Sequence, residues 1–132
     1  MLNEFKARKI LVVEDEPDLQ EILTHVLANA GYSVRAAGNG EEGLNLFDEF
    51  SPDLALLDVH LPDMSGFEVC RKIRQHKNRS KTPIIICTVR SETSGVAEGL
   101  DAGADDYVLK PFEVDDLLER VAEVFEKARK EN

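Results

Sequence analysis

The 132-residue chain predicts an α/β fold built on a parallel β-sheet with helices on both faces. Three observations carry this. Five short apolar runs recur along the chain, and each is followed by a longer segment with helical spacing. The runs themselves lack the polar alternation of a sheet with one wet face. No repeat, low-complexity tract or linker interrupts the pattern, so residues 1–132 read as a single domain.

The first run, "KILVV" at 9–13, leads into a helix whose apolar stripe is Leu19, Ile22, Leu23, Val26, Leu27 and Ala30. Pro17 suits its first turn and Gly31 its end. "SVRAA" at 33–37 is the second strand, and Asn39 is placed to cap a helix over Gly40 to Phe50. "LALL" at 54–57 is the third strand, followed by a helix from about Ser65 to Gln75 with Phe67, Cys70 and Ile73 or Arg74 on one side. "PIIIC" at 83–87 precedes a segment, Glu92 to Ala102, that contains Gly95 and Gly99. Each glycine costs about 1 kcal/mol relative to alanine, which predicts the least stable helix. "YVL" at 107–109 is the fifth strand, and Val114, Leu117, Leu118, Val121 and Phe125 mark the last helix.

Charge narrows the function classes. Twenty-six acidic residues against sixteen basic ones leave a net charge of −10, which repels nucleic acid phosphates and anionic membrane surfaces. Direct nucleic-acid binding is not expected. The start, "MLNEFKARK", has no apolar h-region and no run reaches the length of a membrane span, so a soluble, cytoplasmic protein without membrane contact is expected. Cys70 and Cys87 lack further ligands at zinc spacing and read as reduced, buried thiols.

Right-handed crossovers place all strand C-terminal ends on one sheet edge, where ligands of such folds bind. The polar residues fall there: Glu14, Asp15 and Glu16 after the first strand, Asp58 after the third, Thr88 after the fourth, Lys110 and Pro111 after the fifth. If the first and third strands are neighbours, Glu14, Asp15 and Asp58 converge, and only a cation relieves their mutual repulsion. A hard divalent ion such as Mg²⁺ suits carboxylates and phosphate oxygens. With the ammonium of Lys110 and the hydroxyl of Thr88, the set describes a site that accepts a phosphoryl group onto Asp58.

Through "LVVEDE", "LALLDVHLPDMSG", "PIIICT" and "GADDYVLKPF", the chain from about Lys9 to Glu126 resembles the receiver domains of bacterial two-component response regulators. The resemblance implies a flavodoxin-like, doubly wound five-stranded sheet of order 2-1-3-4-5. By position it implies Asp58 as phosphoacceptor, Asp15 as a direct Mg²⁺ ligand, and Glu14 acting largely through metal-bound water. The His60 backbone carbonyl completes the metal's protein ligands, and Mn²⁺ is expected to substitute for Mg²⁺. Thr88 bonds a phosphoryl oxygen, Lys110 pairs with the phosphoryl group, Tyr107 is the switch aromatic, and the Lys110–Pro111 peptide is cis. The implied partners are a sensor histidine kinase or phosphotransfer protein and a downstream effector domain or protein, with a phosphorylation-dependent dimer as one arrangement. The face read by the effector is the fourth helix, fifth strand and last helix, and the only chemistry is self-phosphorylation and dephosphorylation, not enzymatic turnover.

Two places depart from the family's common pattern. Val89 stands where alanine is usual, and it is expected to narrow access to Asp58. His60 and Arg90, each two residues beyond Asp58 and Thr88, are expected to tune phosphoryl lifetime, Arg90 as a bidentate donor and His60 through its titration. Both also read as solvated loop side chains. Six basic residues between Arg71 and Lys81 read as a helix-end feature, and His25 and His76 as helix surface. An aspartyl-nucleophile phosphohydrolase would want an acid two residues after Asp58, where His60 stands. A flavin or nucleotide binder would want a glycine- or hydroxyl-rich loop after the first strand, where "EDEPD" is the electrostatic opposite.

Overall fold

A computed structural model describes residues 7–89 and 94–131, with Ser94 and Gly95 described by their backbone alone. Arg90, one of the expected lifetime-tuning residues, lies outside these, as do Glu92 and Thr93 of the expected fourth helix. The elements alternate without exception: β1 (Lys9–Val13), α1 (Pro17–Asn29), β2 (Ser33–Ala37), α2 (Gly40–Phe50), β3 (Leu54–Asp58), α3 (Gly66–Arg74), β4 (Ile84–Val89), α4 (Ser94–Asp101), β5 (Asp106–Lys110) and α5 (Val114–Lys130). All strand pairs are parallel, in the order β2-β1-β3-β4-β5, as the resemblance implied.

Strand periodicity divides the core into two layers. Ile10, Val12, Leu54, Leu56, Ile85, Cys87 and Val108 point to one face, where α1 and α5 supply Leu23, Leu27, Leu117, Val121, Val124 and Phe125. Leu11, Val13, Ala55, Leu57, Ile84 and Ile86 point to the other, where Phe47 of α2 and Phe67, Val69, Cys70 and Ile73 of α3 cover them. Each fully buried Leu or Ile contributes about 1.5–3 kcal/mol, so β1, β3 and β4, apolar on both faces, are the stable centre. Cys70 and Cys87 are buried and unpaired, and burial pushes the Cys87 thiol up to about 12.

Several boundaries differ from the sequence reading, for physical reasons. Within the α1 stripe Ile22 is 51% exposed while Leu23 and Leu27 are buried, because two adjacent apolar residues on a helix lie about 100° apart. Val114 is 43% exposed in the first turn of α5, before that helix reaches the sheet. His76 lies beyond the end of α3, half-buried, where its Nε2 bonds Asp48 at 2.8 Å and its Nδ1 accepts the backbone N–H groups of Asn78 and Arg79. Within the basic segment, Arg74 donates to the carbonyls of Gly103, Ser80 and Thr82 and pairs with Asp105, tying α3 to the α4–β5 turn. Gly99 does more than weaken α4. A Cβ there would sit 3.3 Å from Ile86 Cγ1 and 3.5 Å from Phe67 Cε1, so the glycine lets the helix approach the sheet closely.

Candidate functional site

Three strands run further than their apolar residues alone indicated. β3 includes Asp58, β4 includes Thr88 and Val89, and β5 includes Lys110, because the ladder continues through Asp58↔Cys87, Thr88↔Leu109 and Val89↔Lys110. These candidate site residues are therefore held on hydrogen-bonded strand rather than on loops. Successive strand residues point to opposite faces. Ile10, Val12 and Glu14 share one face, as do Leu54, Leu56 and Asp58, and Val108 and Lys110. The same alternation that buries the apolar residues carries Glu14, Asp58 and Lys110 to the α1/α5 side of the C-terminal edge.

There they meet. Lys110 Nζ lies 2.6 Å from Asp58 Oδ1 and 3.0 Å from Glu14 Oε1, and both carboxylate side chains are buried, 7% and 3% exposed respectively. Carboxylate oxygens of Glu14, Asp15 and Asp58 all lie within 4.8 Å of one another, with Asp15 the exposed member. Burial, then the negative charge of Asp58, pushes the Glu14 carboxyl above its ordinary range, against the opposing N–H of Glu16 and the Lys110 ammonium. For Lys110, burial works against the charge, but Asp58 and then Glu14 outweigh it and hold its pKa above the ordinary lysine value. A half-buried ammonium between two buried carboxylates, with a third carboxylate within reach, makes an acidic pocket of the kind that suits a hard divalent ion.

Thr88 is 1% exposed, and its hydroxyl has no hydrogen-bond partner among the described residues. Buried hydroxyls are nearly always partnered, so this one is a candidate donor to an oxygen of a bound ligand. Val89 is half-buried beside Lys110 in the ladder, and His60 is exposed. Tyr107 is half-buried, with the Arg120 guanidinium 5.0 Å from its ring centroid, while Arg120 also pairs with Asp106 at 2.9 Å. The Lys110–Pro111 peptide is cis.

The site also depends on residues not singled out in the sequence. Gln20 Nε2 bonds the carbonyls of Glu14 and Ala37, holding the β1–α1 turn against β2. Gly66 packs on the backbone of Asp58, and a Cβ there would run into the Asp58 carbonyl. Asp63 reaches from the β3–α3 loop to the start of α2, where Gly40 and Glu41 donate to it at 2.7 and 2.9 Å. The glycine after "LPDMS" was the available signal for the close approach. The described cavities lined by Lys81, Asp105 and Glu123 or by Arg8, Asp53 and Arg79 involve residues around the opposite, N-terminal edge of the sheet. They do not contain the carboxylate cluster.

A doubly wound sheet with an aspartate, two acidic neighbours, a hydroxyl and a lysine at its strand ends defines a receiver module. Residues 10–122 match the response regulator receiver domain family, and the chain belongs to it. It is 45% identical over 114 residues to the "DNA-binding response regulator MtrA" of Mycolicibacterium smegmatis, covering 86% of this chain and 49% of that protein. It is 42% identical over 119 residues to "Response regulator ArlR" of Staphylococcus aureus, covering 90% and 53%. The chain thus spans about half the length of these curated relatives. Among solved structures, a CheY-like response regulator receiver domain protein from Methanospirillum hungatei superposes with a TM-score of 0.89 at 32% identity, over 96% of this chain and all of that one. The chemotaxis response regulator CheY4 of Vibrio cholerae gives 0.85 at 31% identity, over 90% and 99%. A receiver domain is a signalling module rather than an enzyme in its own right, and histidine kinases are the partners of this family. No helix among the described residues is long and apolar enough to cross a membrane.

Proposed function

We propose that this chain is a phosphorylation switch that accepts a phosphoryl group onto Asp58 from a histidine kinase, a phosphotransfer protein or a small phosphodonor. The observation that carries the reading is the buried Asp58 carboxylate, 2.6 Å from Lys110 within the three-carboxylate cluster. Glu14, Asp15, Asp58 and the His60 backbone carbonyl would hold Mg²⁺, or Mn²⁺ in its place, and the ion would supply charge neutralisation for the incoming phosphoryl oxygens.

In the transfer, an Asp58 oxygen forms the new bond to phosphorus while the donor's bond to phosphorus breaks and the donor leaves with that electron pair. The sheet edge holds Asp58 in place, so little orientation is left to be lost. Lys110, already bonded to Asp58, pairs with a phosphoryl oxygen, and the Thr88 hydroxyl donates to another. In this reading the pull on Thr88 is passed to Tyr107, altering the face formed by α4, β5 and α5 and shifting an existing conformational equilibrium. The whole of residues 1–132 acts as one receiver. Its output lies with an effector domain or partner, to which the DNA-binding name of one relative points, and a phosphorylation-dependent dimer is one form that output takes. With a net charge of −10, the chain itself is not assigned DNA contact.

The test is intact-protein mass spectrometry after incubation with acetyl phosphate and Mg²⁺. A gain of one phosphoryl group is expected, lost when a chelator replaces the metal. No gain with the metal present overturns the proposal. Val89 stands beside Lys110 in the ladder, so its β-branched side chain is assigned to gating the pocket. Val89→Ala is expected to speed acetyl phosphate labelling several-fold, and an unchanged rate sinks the gate. Arg90 keeps its proposed role as a donor that tunes phosphoryl lifetime. For His60, exposed on the loop after Asp58, the proposed role is tuning of phosphoryl lifetime. The decay of phosphorylated protein should change rate in His60→Ala, and an identical decay would remove the residue from the mechanism.

A further inference from the structure

Asp63 has a place in the fold that the site chemistry above does not use. It lies in the loop between β3 and α3, the loop that also carries His60. Its carboxylate leaves that loop and accepts the backbone N–H of Gly40 at 2.7 Å on one oxygen and of Glu41 at 2.9 Å on the other. These are the first two residues of α2, whose next amide, that of Glu42, is capped by Asn39 at 2.8 Å. A helix N-terminus presents unsatisfied N–H groups and positive charge, so a carboxylate there is held firmly. Those amides hold the Asp63 carboxyl below the usual carboxylate range.

The surrounding residues show that the contact is built rather than incidental. A Cβ on Gly40 would run into the side chain of Met64, the residue after Asp63, so glycine admits the loop against α2. At the loop's base, the Gly66 N–H bonds the Val59 carbonyl at 2.8 Å, beside an antiparallel bridge between His60 and Ser65. The loop from Val59 to Gly66 is thus fastened at its base to the strand that ends in Asp58 and at its far side to α2. His60 sits between the two fastenings.

We propose that Asp63 is a positioning residue for divalent-ion binding: by clamping the β3–α3 loop to the N-terminus of α2, it sets the backbone of His60 for the ion. This rests on the metal site proposed above. It assigns Asp63 no contact with the ion or with the phosphoryl group. Residues that orient metal ligands from behind typically matter by 10–100-fold in metal affinity. One backbone ligand among several carboxylates places the expected effect at the lower end, about tenfold.

The experiment is calorimetric titration of the unphosphorylated full chain with Mn²⁺, paired with thermal unfolding in chelator. Asp63→Ala is expected to weaken Mn²⁺ binding about tenfold, and Asp63→Asn, which keeps an acceptor oxygen but not the charge, to fall between it and wild type. Asn39→Ala removes the other cap of the same helix without touching the loop, so it should lower thermal stability and leave Mn²⁺ affinity unchanged. Wild-type affinity in both Asp63 variants overturns the inference, as does an equal loss in Asn39→Ala, which would mean that helix stability alone matters. Should Asp63→Ala fail to fold, Asp63→Asn carries the comparison. Wild-type protein that binds no Mn²⁺ overturns the metal site itself, whereas binding that ignores Asp63 overturns only the positioning role.

Discussion

Asp58→Asn is expected to take up no phosphoryl group from acetyl phosphate and Mg²⁺, with the mass spectrum showing unmodified protein at times when wild type is fully labelled. An amide is nearly the same shape as a carboxylate but has no anionic oxygen to attack phosphorus. The substitution also removes the negative charge that helps push the Glu14 carboxyl up, so Glu14 should ionise more readily. The fold should survive. The Lys110 ammonium keeps Glu14 at 3.0 Å and finds the amide oxygen where Asp58 Oδ1 was. Circular dichroism and thermal unfolding verify that the loss is chemical. A variant that still gains a phosphoryl group would place the acceptor on another residue.

Lys110→Met should be the most destabilising change at the site in metal-free protein. Methionine keeps much of the stem's volume but leaves Asp58 and Glu14 buried with no counter-charge among the described residues. Removing one partner of a fully buried ion pair costs about 3–5 kcal/mol, and since Lys110 is 20% exposed, about 2 kcal/mol is the better expectation. The sign of the pH dependence follows from the two shifts. Lys110 is raised above its ordinary 10.5, so its stabilisation is complete below that value and is lost as pH rises through its folded pKa. Glu14 is raised above 4.5, and without Lys110 it should rise further. The deficit of the variant should therefore be full near pH 7 and shrink in acid, as protonation removes the uncompensated charge. Divalent metal replaces the missing cation, so Mg²⁺ should raise the melting temperature more in Lys110→Met than in wild type. Equal stability in chelator, or equal response to Mg²⁺, would show that the ion pair matters little.

Both predictions concern residues that the sequence brought forward, and the reason lies in strand chemistry. "LALLD" is buried along its whole length, so an acid at its end is either a liability or a functional group. The same logic holds for Glu14, buried after "KILVV". The fold class followed from apolar runs too continuous for a sheet with one wet face. Pro17, Asn39 and Gly31 marked helix ends correctly because their effects are local. What local pattern missed has a common cause. Ile22 and Val114 are apolar on helices yet exposed, since burial depends on how a helix meets the sheet. His76 read as helix surface but closes the turn after α3 by accepting the Asn78 and Arg79 N–H groups, and its other ring nitrogen ties that turn to Asp48, 28 residues away in sequence. Asp63, Gly66 and Gln20 act through backbone groups that no residue pattern displays.

From the sequence alone came which candidate residues stand together in parity at the strand ends, because strand alternation commits Glu14, Asp58 and Lys110 to the side of the buried neighbours two residues before them. The tertiary structure alone decided that these three meet. Glu14 and Lys110 are separated by 96 positions in sequence and 3.0 Å in space. Parallel pairing brings every strand end to one edge, and the order β2-β1-β3-β4-β5 sets β1 beside β3 with β5 one strand further, so that Lys110 reaches past β4 to both carboxylates. Strand order is a consequence of crossovers and packing summed over the chain, whereas side-chain parity is set within each strand.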